Sequence, residues 1–398
     1  MKKYFSKIIF ITQNKLTKRD YARFGFNIFM NRGYKVDYWD ITPVLRSFYH
    51  ENFTDPDLFK YNKTKIFYEL NEIIKSLKNL KKSDLVISLI KPDVKSKLIF
   101  EVMNELKIHY GFINNTDHPE NSNNKLMKKL TLINSIEIIK NSPLSFFTKI
   151  IKKISRKFVD NTIKLNPFFV MVSGQNSFDK CKQKFKNSEL IKTHALDYDI
   201  YLDNLINKPS EEFYMKDYAV FIDNNLPFSI DHSWGRDKPV PWCNPDDYFS
   251  EINKFLDLFT MSTKLNVIIA AHPRSNYNEN VFDKRKTIKN KTSELIKHSK
   301  CVLMHQSTST NFAVLYRKPI IFLNSSLFDL KFRTRIKFLS NYFGDEAINL
   351  STNYLIPDDY KIKSNKFYKY YINKYIKMND PGEKKSWDIL CDYLDSLK

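Results

Sequence analysis

Glycine is rare in this 398-residue chain, which contains only seven. They stand at positions 25, 33, 111, 174, 235, 344 and 382, and no two are spaced to form G-x-G-x-x-G or G-x-x-x-x-G-K. Both motifs need glycines, because only a residue without a Cβ lets the backbone approach a phosphate so closely. The P-loop and the glycine-rich dinucleotide fingerprint are therefore excluded.

Cysteines and long apolar runs are also few. The four cysteines lie far apart and form no C-x-x-C pair, which argues against a disulfide scaffold or a zinc ribbon and favours a reducing cytosol. The apolar run 8–11 near the start is too short for a signal-peptide core. We therefore expect a cytoplasmic protein whose first buried strand lies near its beginning.

Strand and helix patterns alternate along most of the chain. Apolar runs typical of buried parallel strands, such as 7–12, 84–90, 218–222 and 266–271, precede or follow helical patterns. This alternation predicts an α/β fold of two Rossmann-like, doubly wound parallel-sheet domains. Residues 1–205, with a basic insertion at 120–166, would form the first domain, and residues 206–398 the second, with terminal helices that pack back on the first.

Two helix predictions bear on the site. One helix is predicted from Thr17, with Tyr21, Phe24 and Ile28 on its buried face, and Gly33 is placed to cap its C-terminus. A second helix is predicted over residues 307–316, directly after a strand that ends at 304.

The chain is strongly basic, with 65 Lys and Arg against 44 Asp and Glu and a net charge of +21. A field of this sign attracts phosphate-bearing partners, which include nucleic acids, anionic lipids and phosphorylated small molecules. The alternative interpretation is a solvated lysine-rich surface. A nucleic-acid-binding protein is a further alternative class, but no RNP, KH, zinc-finger or recognition-helix pattern occurs.

Two polar motifs follow predicted parallel strands of the second domain. His272-Pro273-Arg274 follows the strand 266–271, and His305-Gln306-Ser307-Thr308-Ser309-Thr310 follows the strand 301–304. Open α/β sheets bind ligands at the carboxyl ends of their strands. Hydroxyls and free N–H groups at a helix start favour a phosphate, and an imidazole and a guanidinium add donors. The two motifs together predict a phosphate site.

The order strand, His272-Pro273, strand, Ser307-Thr308-Ser309, helix, Lys318-Pro319 resembles the donor-binding half of GT-B glycosyltransferases. The pattern is most similar to bacterial sialyltransferases and Kdo transferases, which use CMP-activated sugars. It is also similar to CDP-glycerol glycerophosphotransferases of wall-polymer synthesis. The segments 16–25 and 39–43 resemble proteins of bacterial surface-carbohydrate clusters, and the matches together cover about a third of the chain.

The resemblance implies a GT-B glycosyltransferase that transfers a sugar to a hydroxyl of a bacterial surface glycan, with a CMP-linked nonulosonic acid or Kdo as the expected donor. The histidine of the His-Pro motif contacts the nucleotide phosphate in such families, and the Ser/Thr pair also binds it. The donor site is therefore assigned to His272, Arg274, Gln306, Ser307, Thr308, Ser309 and Thr310. A CDP-polyol phosphotransferase is the alternative activity. The resemblance implies a nucleotide-sugar and a glycan or lipid-linked glycan as partners, and no nucleic acid.

The general base is less well defined by the sequence. The families commonly place it in an acidic pair followed by glycine, and no such motif occurs here. Asp117, after the predicted strand 109–113, is the candidate because it would face the cleft between the domains. Asp223 and Asp231 are weaker candidates in a loop, and Asp20 is better explained as a helix-cap residue.

Metal binding is not expected, and neither is another cofactor. Two D-x-D triplets occur, at 55–57 and 197–199. Such triplets hold nucleotide-bound cations in metal-dependent transferases of another fold, but they are frequent by chance in an acid-containing chain. Asp197 is predicted to lie in an ordinary turn at the start of the linker.

A basic amphipathic segment spans residues 144–164. Its apolar residues share one helical face, and the other sides carry Lys149, Lys152, Lys153, Arg156 and Lys157. Such a helix suits the anionic inner surface of the cell membrane, which implies peripheral attachment of a cytoplasmic enzyme. The same pattern fits a helix packed on its own domain with lysines in water, and the sequence leaves both interpretations open.

Overall fold

The computed structural model describes residues 3–114, 117–119, 163–207, 217–229, 241–277, 280–352, 354, 356, 365–380 and 382–397. The basic segment 144–164, with Lys149, Lys152, Lys153, Arg156 and Lys157, lies almost wholly outside this range, and so does Asp231. Only residues 163 and 164 of that segment are described.

The first domain is built on a seven-stranded sheet in the order β3-β2-β1-β4-β5-β6-β7. Every ladder of this sheet is parallel. Its strands are β1 (Lys7–Thr12), β2 (Lys35–Asp40), β3 (Thr64–Ile66), β4 (Asp84–Ser88), β5 (Tyr110–Asn114), β6 (Phe169–Ser173) and β7 (Glu189–Thr193). The central strands are apolar and almost wholly buried, because helices cover both faces of the sheet.

The helices of the first domain alternate with these strands. They are α1 (Lys18–Arg23), α2 (Phe26–Asn31), α3 (Thr42–Leu45), α4 (Ser47–Asn52), α5 (Leu70–Lys78), α6 (Lys97–Glu105), α7 (Gly174–Lys184) and α8 (Leu196–Ile206). Helix α8 runs from the first domain to the second: Leu196 packs in a core of the first domain, and Tyr198, Ile200, Tyr201 and Leu202 pack on the core of the second.

The second domain contains a six-stranded sheet in the order β10-β9-β8-β11-β12-β13, and its ladders are also parallel. The strands are β8 (Tyr218–Ile222), β9 (Asn266–Ala271), β10 (Thr287–Lys289), β11 (Cys301–Met304), β12 (Ile320–Asn324) and β13 (Ile348–Asn349). The two sheets share one connectivity, in which the strand order reverses between the first and fourth strand of each domain. The predicted fold class, two doubly wound parallel-sheet domains, is confirmed.

The remaining helices complete the second domain and return the chain to the first. They are α9 (Pro245–Thr263), α10 (Thr292–His298), α11 (Thr310–Leu315), α12 (Leu330–Tyr342), α13 (Asn365–Tyr371), a π-helical turn (Ile372–Ile376) and α14 (Ser386–Ser396); Leu226–Phe228 forms a short 3-10 turn.

Helix α14 packs on the first sheet rather than the second. Trp387 is buried there, with its ring 5.7 Å from that of Phe10 and 5.6 Å from that of Phe29. Gly25 lies beneath it, since a Cβ at that position would stand 2.5 Å from Trp387 Cγ. The Trp387 Nε1–H donates to Arg23 O at 2.8 Å. A residue near the end of the chain therefore completes the core of the first domain.

The helix predicted from Thr17 is wrong in its length. Gly25, at φ 66°, divides it into α1 and α2. The predicted buried residues Tyr21, Phe24 and Ile28 are only partly buried, whereas Phe26 and Phe29 of α2 are fully buried. The predicted cap is confirmed, since Thr17 Oγ1 accepts from Asp20 N at 3.1 Å. The helix predicted over 307–316 is also shorter, because residues 308–309 form a turn before α11 begins at Thr310.

Candidate active site in the cleft between the domains

The carboxyl ends of both sheets border one cleft of about 790 Å³. The first domain contributes Arg19 and Arg23 after β1, His118 after β5 and Asp197 after β7. Residues that follow β8, β9, β11 and β12 line the opposite wall. Ligand sites in open α/β folds lie at this edge. The cleft is therefore the candidate active site.

The structure brings most of the predicted donor-site residues into this cleft. His272 lines it together with the segment Gln306–Thr310. Asn224 connects the loop after β8 to the loop after β11, because its Nδ2 donates to Gln306 O at 2.9 Å. This bond spans β8 and β11, where the strand order of the second sheet reverses. The two sequence motifs thus meet at the point of the sheet where the fold leaves a crevice.

Asp223 fixes the main chain of the His272 loop. Its Oδ2 accepts from His272 N at 3.1 Å and from Tyr277 Oη at 2.7 Å, while its Oδ1 accepts from Asn225 N at 2.7 Å. Burial raises the pKa of this carboxyl, and the three donors oppose that shift. The sequence suggested Asp223 only as a weak base; its contacts make it an anchor for the loop.

The imidazole of His272 is held by its own turn. Its Nδ1 accepts from Arg274 N at 3.2 Å, and Ser275 N and Oγ donate to His272 O at 2.9 and 2.8 Å. A neutral ring whose Nδ1 accepts carries its proton on Nε2. In this tautomer Nε2 of His272 carries the N–H group, and the turn fixes the orientation of the ring.

Arg274 does not line the cleft, in contrast to the rest of its motif. Its Nε donates to Asp55 Oδ1 at 3.1 Å, and only 18% and 4% of the two side chains are exposed. Tyr49 Oη also donates to Asp55. The guanidinium thus joins the second domain to the first, and Asp55 of the first D-x-D triplet is occupied by this contact.

The segment Ser307–Thr310 forms a tight turn at the cleft. Ser307 Oγ accepts from Ser309 N at 3.1 Å, and Thr310 Oγ1 donates to Ser307 O at 2.8 Å. The Ser307 hydroxyl keeps a proton to donate, because accepting a hydrogen bond does not use it. Gln306 Oε1 and Asn224 Oδ1 are buried and have no hydrogen-bond partner among the described residues. Unsatisfied polar atoms of this kind are typical of a ligand-binding surface.

His305 belongs to the core rather than the site. Its Nδ1 donates to Leu323 O at 2.8 Å, so its Nε2 accepts from Tyr248 Oη at 3.2 Å. Full burial lowers the pKa of this imidazole to about 4, which keeps it neutral at physiological pH.

Asp197 is not in a loop turn, and this prediction is wrong. It lies buried in the first turn of α8. Its Oδ1 accepts from Arg23 Nη2 at 3.2 Å and its Oδ2 from Asn311 Nδ2 at 2.9 Å. Asn311 also accepts from Tyr371 Oη at 3.0 Å. Asp197 thus connects a cleft arginine of the first domain to α11 of the second.

Asp117 lies beside the cleft and is bound by α7. Lys180 Nζ is 3.1 Å from both carboxylate oxygens, and Asn176 Nδ2 donates to Oδ2. The next residues, His118 and Pro119, line the cleft, while Asp117 itself does not. Its role as general base stays a prediction.

The described residues contain no group of three or more His, Cys, Asp or Glu arranged to hold a metal ion. Among the helices of the described residues, none combines the length and the apolar character needed to cross a membrane.

Four cations of the cleft wall were not predicted from the sequence. Arg19 and Arg23 lie on α1, and Lys331 and Arg335 lie on α12. No short motif marks them, because each reaches the cleft only through the packing of its helix. The one available indication was the helical pattern of residues 330–342, in which Lys331 and Arg335 are four positions apart.

No family model matches this chain, and no curated protein does. Solved structures share its overall path at low identity. The UDP-GlcNAc 2-epimerase of Methanocaldococcus jannaschii, in complex with UDP-GlcNAc and UDP, is 13% identical with a TM-score of 0.47, over 97% of this chain and 99% of that one. The calicheamicin glycosyltransferase CalG4 is 10% identical with a TM-score of 0.42, over 98% and 94%. Arabidopsis thaliana UGT89C1 complexed with UDP is 12% identical with a TM-score of 0.45, over 98% of both chains. Likeness at this level carries no conclusion about ligand or activity.

Proposed function

We propose that this protein is a glycosyltransferase that uses a nucleotide-activated sugar and transfers the sugar to a hydroxyl in the cleft. The supporting observation is the convergence of His272 and the Gln306–Thr310 segment on one cavity at the strand-order reversal of the second sheet. A cavity of about 790 Å³ is large enough for a nucleotide sugar. The first domain, across the cleft, is the proposed acceptor side.

In the proposed reaction, the acceptor oxygen attacks the anomeric carbon, and the bond between that carbon and the phosphate oxygen breaks. The acceptor proton passes to a general base, for which Asp117 is the proposed residue. The phosphate leaves with the bonding electron pair. In this proposal, His272 Nε2–H and the hydroxyls of Ser307 and Thr308, which line the cavity, donate to its oxygens. Fixed donors aimed at developing negative charge provide much of the rate enhancement of such sites.

The proposal also specifies the nucleotide of the donor and the type of acceptor. A CMP-linked nonulosonic acid or Kdo, and a surface glycan as acceptor, follow from the sequence resemblance alone. UDP and GDP are included among the candidates because the donors of the proposed phosphate site do not distinguish one nucleotide from another. Thermal-shift measurements with CMP, CDP, UDP and GDP at equal concentration identify the nucleotide, since a ligand that binds only the folded protein stabilises it more the lower its dissociation constant.

Two substitutions at His272 test the assignment of the phosphate donor. His272→Asn keeps an acceptor that Arg274 N can reach but lacks the Nε2 donor. His272→Gln places an amide N–H near the position of Nε2. We expect the asparagine variant to lose most of the nucleotide-induced shift and the glutamine variant to recover part of it. The folded structure should survive in both, because Asp223 holds the main-chain N–H of residue 272.

Two results would contradict the proposal. One is an undiminished nucleotide shift in His272→Asn. The other is turnover of a nucleotide sugar into an isomer without any acceptor, which would indicate an epimerase. Release of CMP together with glycerol phosphate joined to product would instead support the polyol-phosphate transferase.

A further inference from the structure

The four cations that line the cleft are not equivalent. Arg19 and Arg23 on α1 are both paired with carboxylates. Arg19 Nη2 is 3.1 Å from Asp20 Oδ1, and Arg23 Nη2 is 3.2 Å from Asp197 Oδ1. An anion that approaches α1 therefore meets charges that are already largely neutralised.

The cations on α12 have no such partners among the residues that the structure describes. Neither Lys331 nor Arg335 forms an ion pair within the part of the chain that the structure describes. They lie four residues apart on one face of the helix, with Thr334 beside them, and all three line the cleft. Like charges at this spacing repel each other by a few tenths of a kcal/mol. An anion bound between them would remove that repulsion.

This α12 patch, Lys331 and Arg335, lies next to the proposed phosphate site. Helix α12 follows β12, and β12 is the direct neighbour of β11, whose end carries the Gln306–Thr310 segment. A ligand held by His272 and Ser307 would therefore extend along the same carboxyl edge towards α12. The patch and the proposed phosphate site both belong to the second domain, so the patch lies on the donor side of the cleft rather than on the acceptor side.

We propose that the α12 patch binds a second anionic group of the donor, either a second phosphate or a carboxylate on the sugar. This inference rests on the proposed function and defines its substrate as a donor with two anionic groups. The two sources share their chemistry, since a guanidinium and an ammonium bind both phosphate and carboxylate oxygens. Pairs of ligands that differ by one phosphate or by one carboxylate-bearing sugar distinguish the two sources.

The experiment compares affinity ratios rather than single affinities. Dissociation constants are measured by calorimetry at fixed low salt for CMP, CDP, UMP, UDP and CMP-linked N-acetylneuraminic acid. The ratio of diphosphate to monophosphate affinity reports the second phosphate, and the ratio of CMP-sugar to CMP affinity reports the carboxylate. We expect one ratio to be well above one in the unmodified protein. It should fall by about tenfold in the double variant Lys331→Gln, Arg335→Gln.

A matched control lies on the same helix. Arg333 and Lys337 have the same composition and spacing as the patch but do not line the cleft. The variant Arg333→Gln, Lys337→Gln should leave the ratio within about twofold of its original value.

The inference is overturned if both ratios are close to one in the unmodified protein. It is also overturned if the ratio in the patch variant stays equal to that of the control. Failure of the proposed function has different signatures: no nucleotide binds the unmodified protein at all, or a nucleotide sugar is converted to an isomer without any acceptor.

Discussion

The two walls of the cleft are positioned by different kinds of interaction. In the second domain, a buried carboxylate, Asp223, accepts main-chain N–H groups and holds the His272 loop. In the first domain, the cleft arginines Arg19 and Arg23 are instead held by side-chain ion pairs with Asp20 and Asp197. Main-chain contacts survive most substitutions of the side chains they position, whereas ion pairs do not. The proposed donor wall is therefore preorganised, and the facing wall depends on the identity of each partner.

The sheets themselves do not explain this contrast. Both follow the same strand order, and both end at the same cleft. The difference arises from the residues that follow equivalent strands. Asp223 and Asn224 follow the first strand of the second sheet, while Gln13 and Asn14 occupy the corresponding position in the first sheet. Three measurements test the contrast, in order of decreasing expected effect.

The largest effect is expected for Asp223→Ala. The substitution leaves three donors, including His272 N, without their acceptor. We expect the free energy of unfolding, measured with urea, to fall by roughly 3 kcal/mol, together with loss of the nucleotide-induced thermal shift. Tyr277→Phe is the control, because it removes only one donor and should reduce stability by about 1 kcal/mol. Normal nucleotide binding by Asp223→Ala would refute the preorganised wall.

An intermediate effect is expected at the ion pair that joins the walls. A double-mutant cycle on Asp55→Asn and Arg274→Gln should give a coupling energy of about 2 kcal/mol, because both side chains are largely buried. The exposed pair of Lys97 and Glu101, within the first domain, serves as control and should couple by less than about 0.5 kcal/mol. Equal coupling in the two cycles would mean that the interdomain pair contributes no more than a surface contact.

The smallest effect is expected in the pH dependence of stability, through Asp199 on the helix α8 that connects the domains. Burial raises the pKa of Asp199 to about 7, so the folded state binds its proton more tightly than the unfolded chain. The free energy of unfolding should therefore fall as the pH rises from about 4 to about 7 and then level off. We expect Asp199→Asn to flatten this part of the pH profile and to stabilise the protein at pH 8 by roughly 1–2 kcal/mol.

Asp203→Asn is the matched control for this change, since Asp203 lies one turn further along α8 and is half-exposed beside Lys385. A pH profile that Asp199→Asn and Asp203→Asn alter equally would exclude Asp199 as its cause.

The core strands could be predicted closely from the sequence. Strands β8, β9 and β11 have the predicted bounds, because fully buried parallel strands are continuous apolar runs. The short outer strands β3, β10 and β13 were missed, since edge positions tolerate polar residues and leave no such run. Helix α12 was missed as well, although its charges repeat at helical spacing.

The site was predictable only where it lies close to the strand ends. His272 and Ser307 each follow a buried strand directly, so their positions were implied by the fold. Arg23 and Asp197 are 174 positions apart, and only the packing of α1 against α8 brings them together. Arg274 illustrates the reverse case, because a side chain next to a site residue in sequence can point to a different domain.

The chain passes between the domains twice, outward through α8 and back through residues 372–397. These two passages are joined by a main-chain hydrogen bond, since Ala195 N donates to Ile376 O at 2.8 Å. The returning passage ends with Trp387 locked against Gly25. Two crossings that are hydrogen-bonded to each other restrict relative movement of the domains more tightly than a single linker would, and buried Trp387 fixes the returning crossing to the core of the first domain.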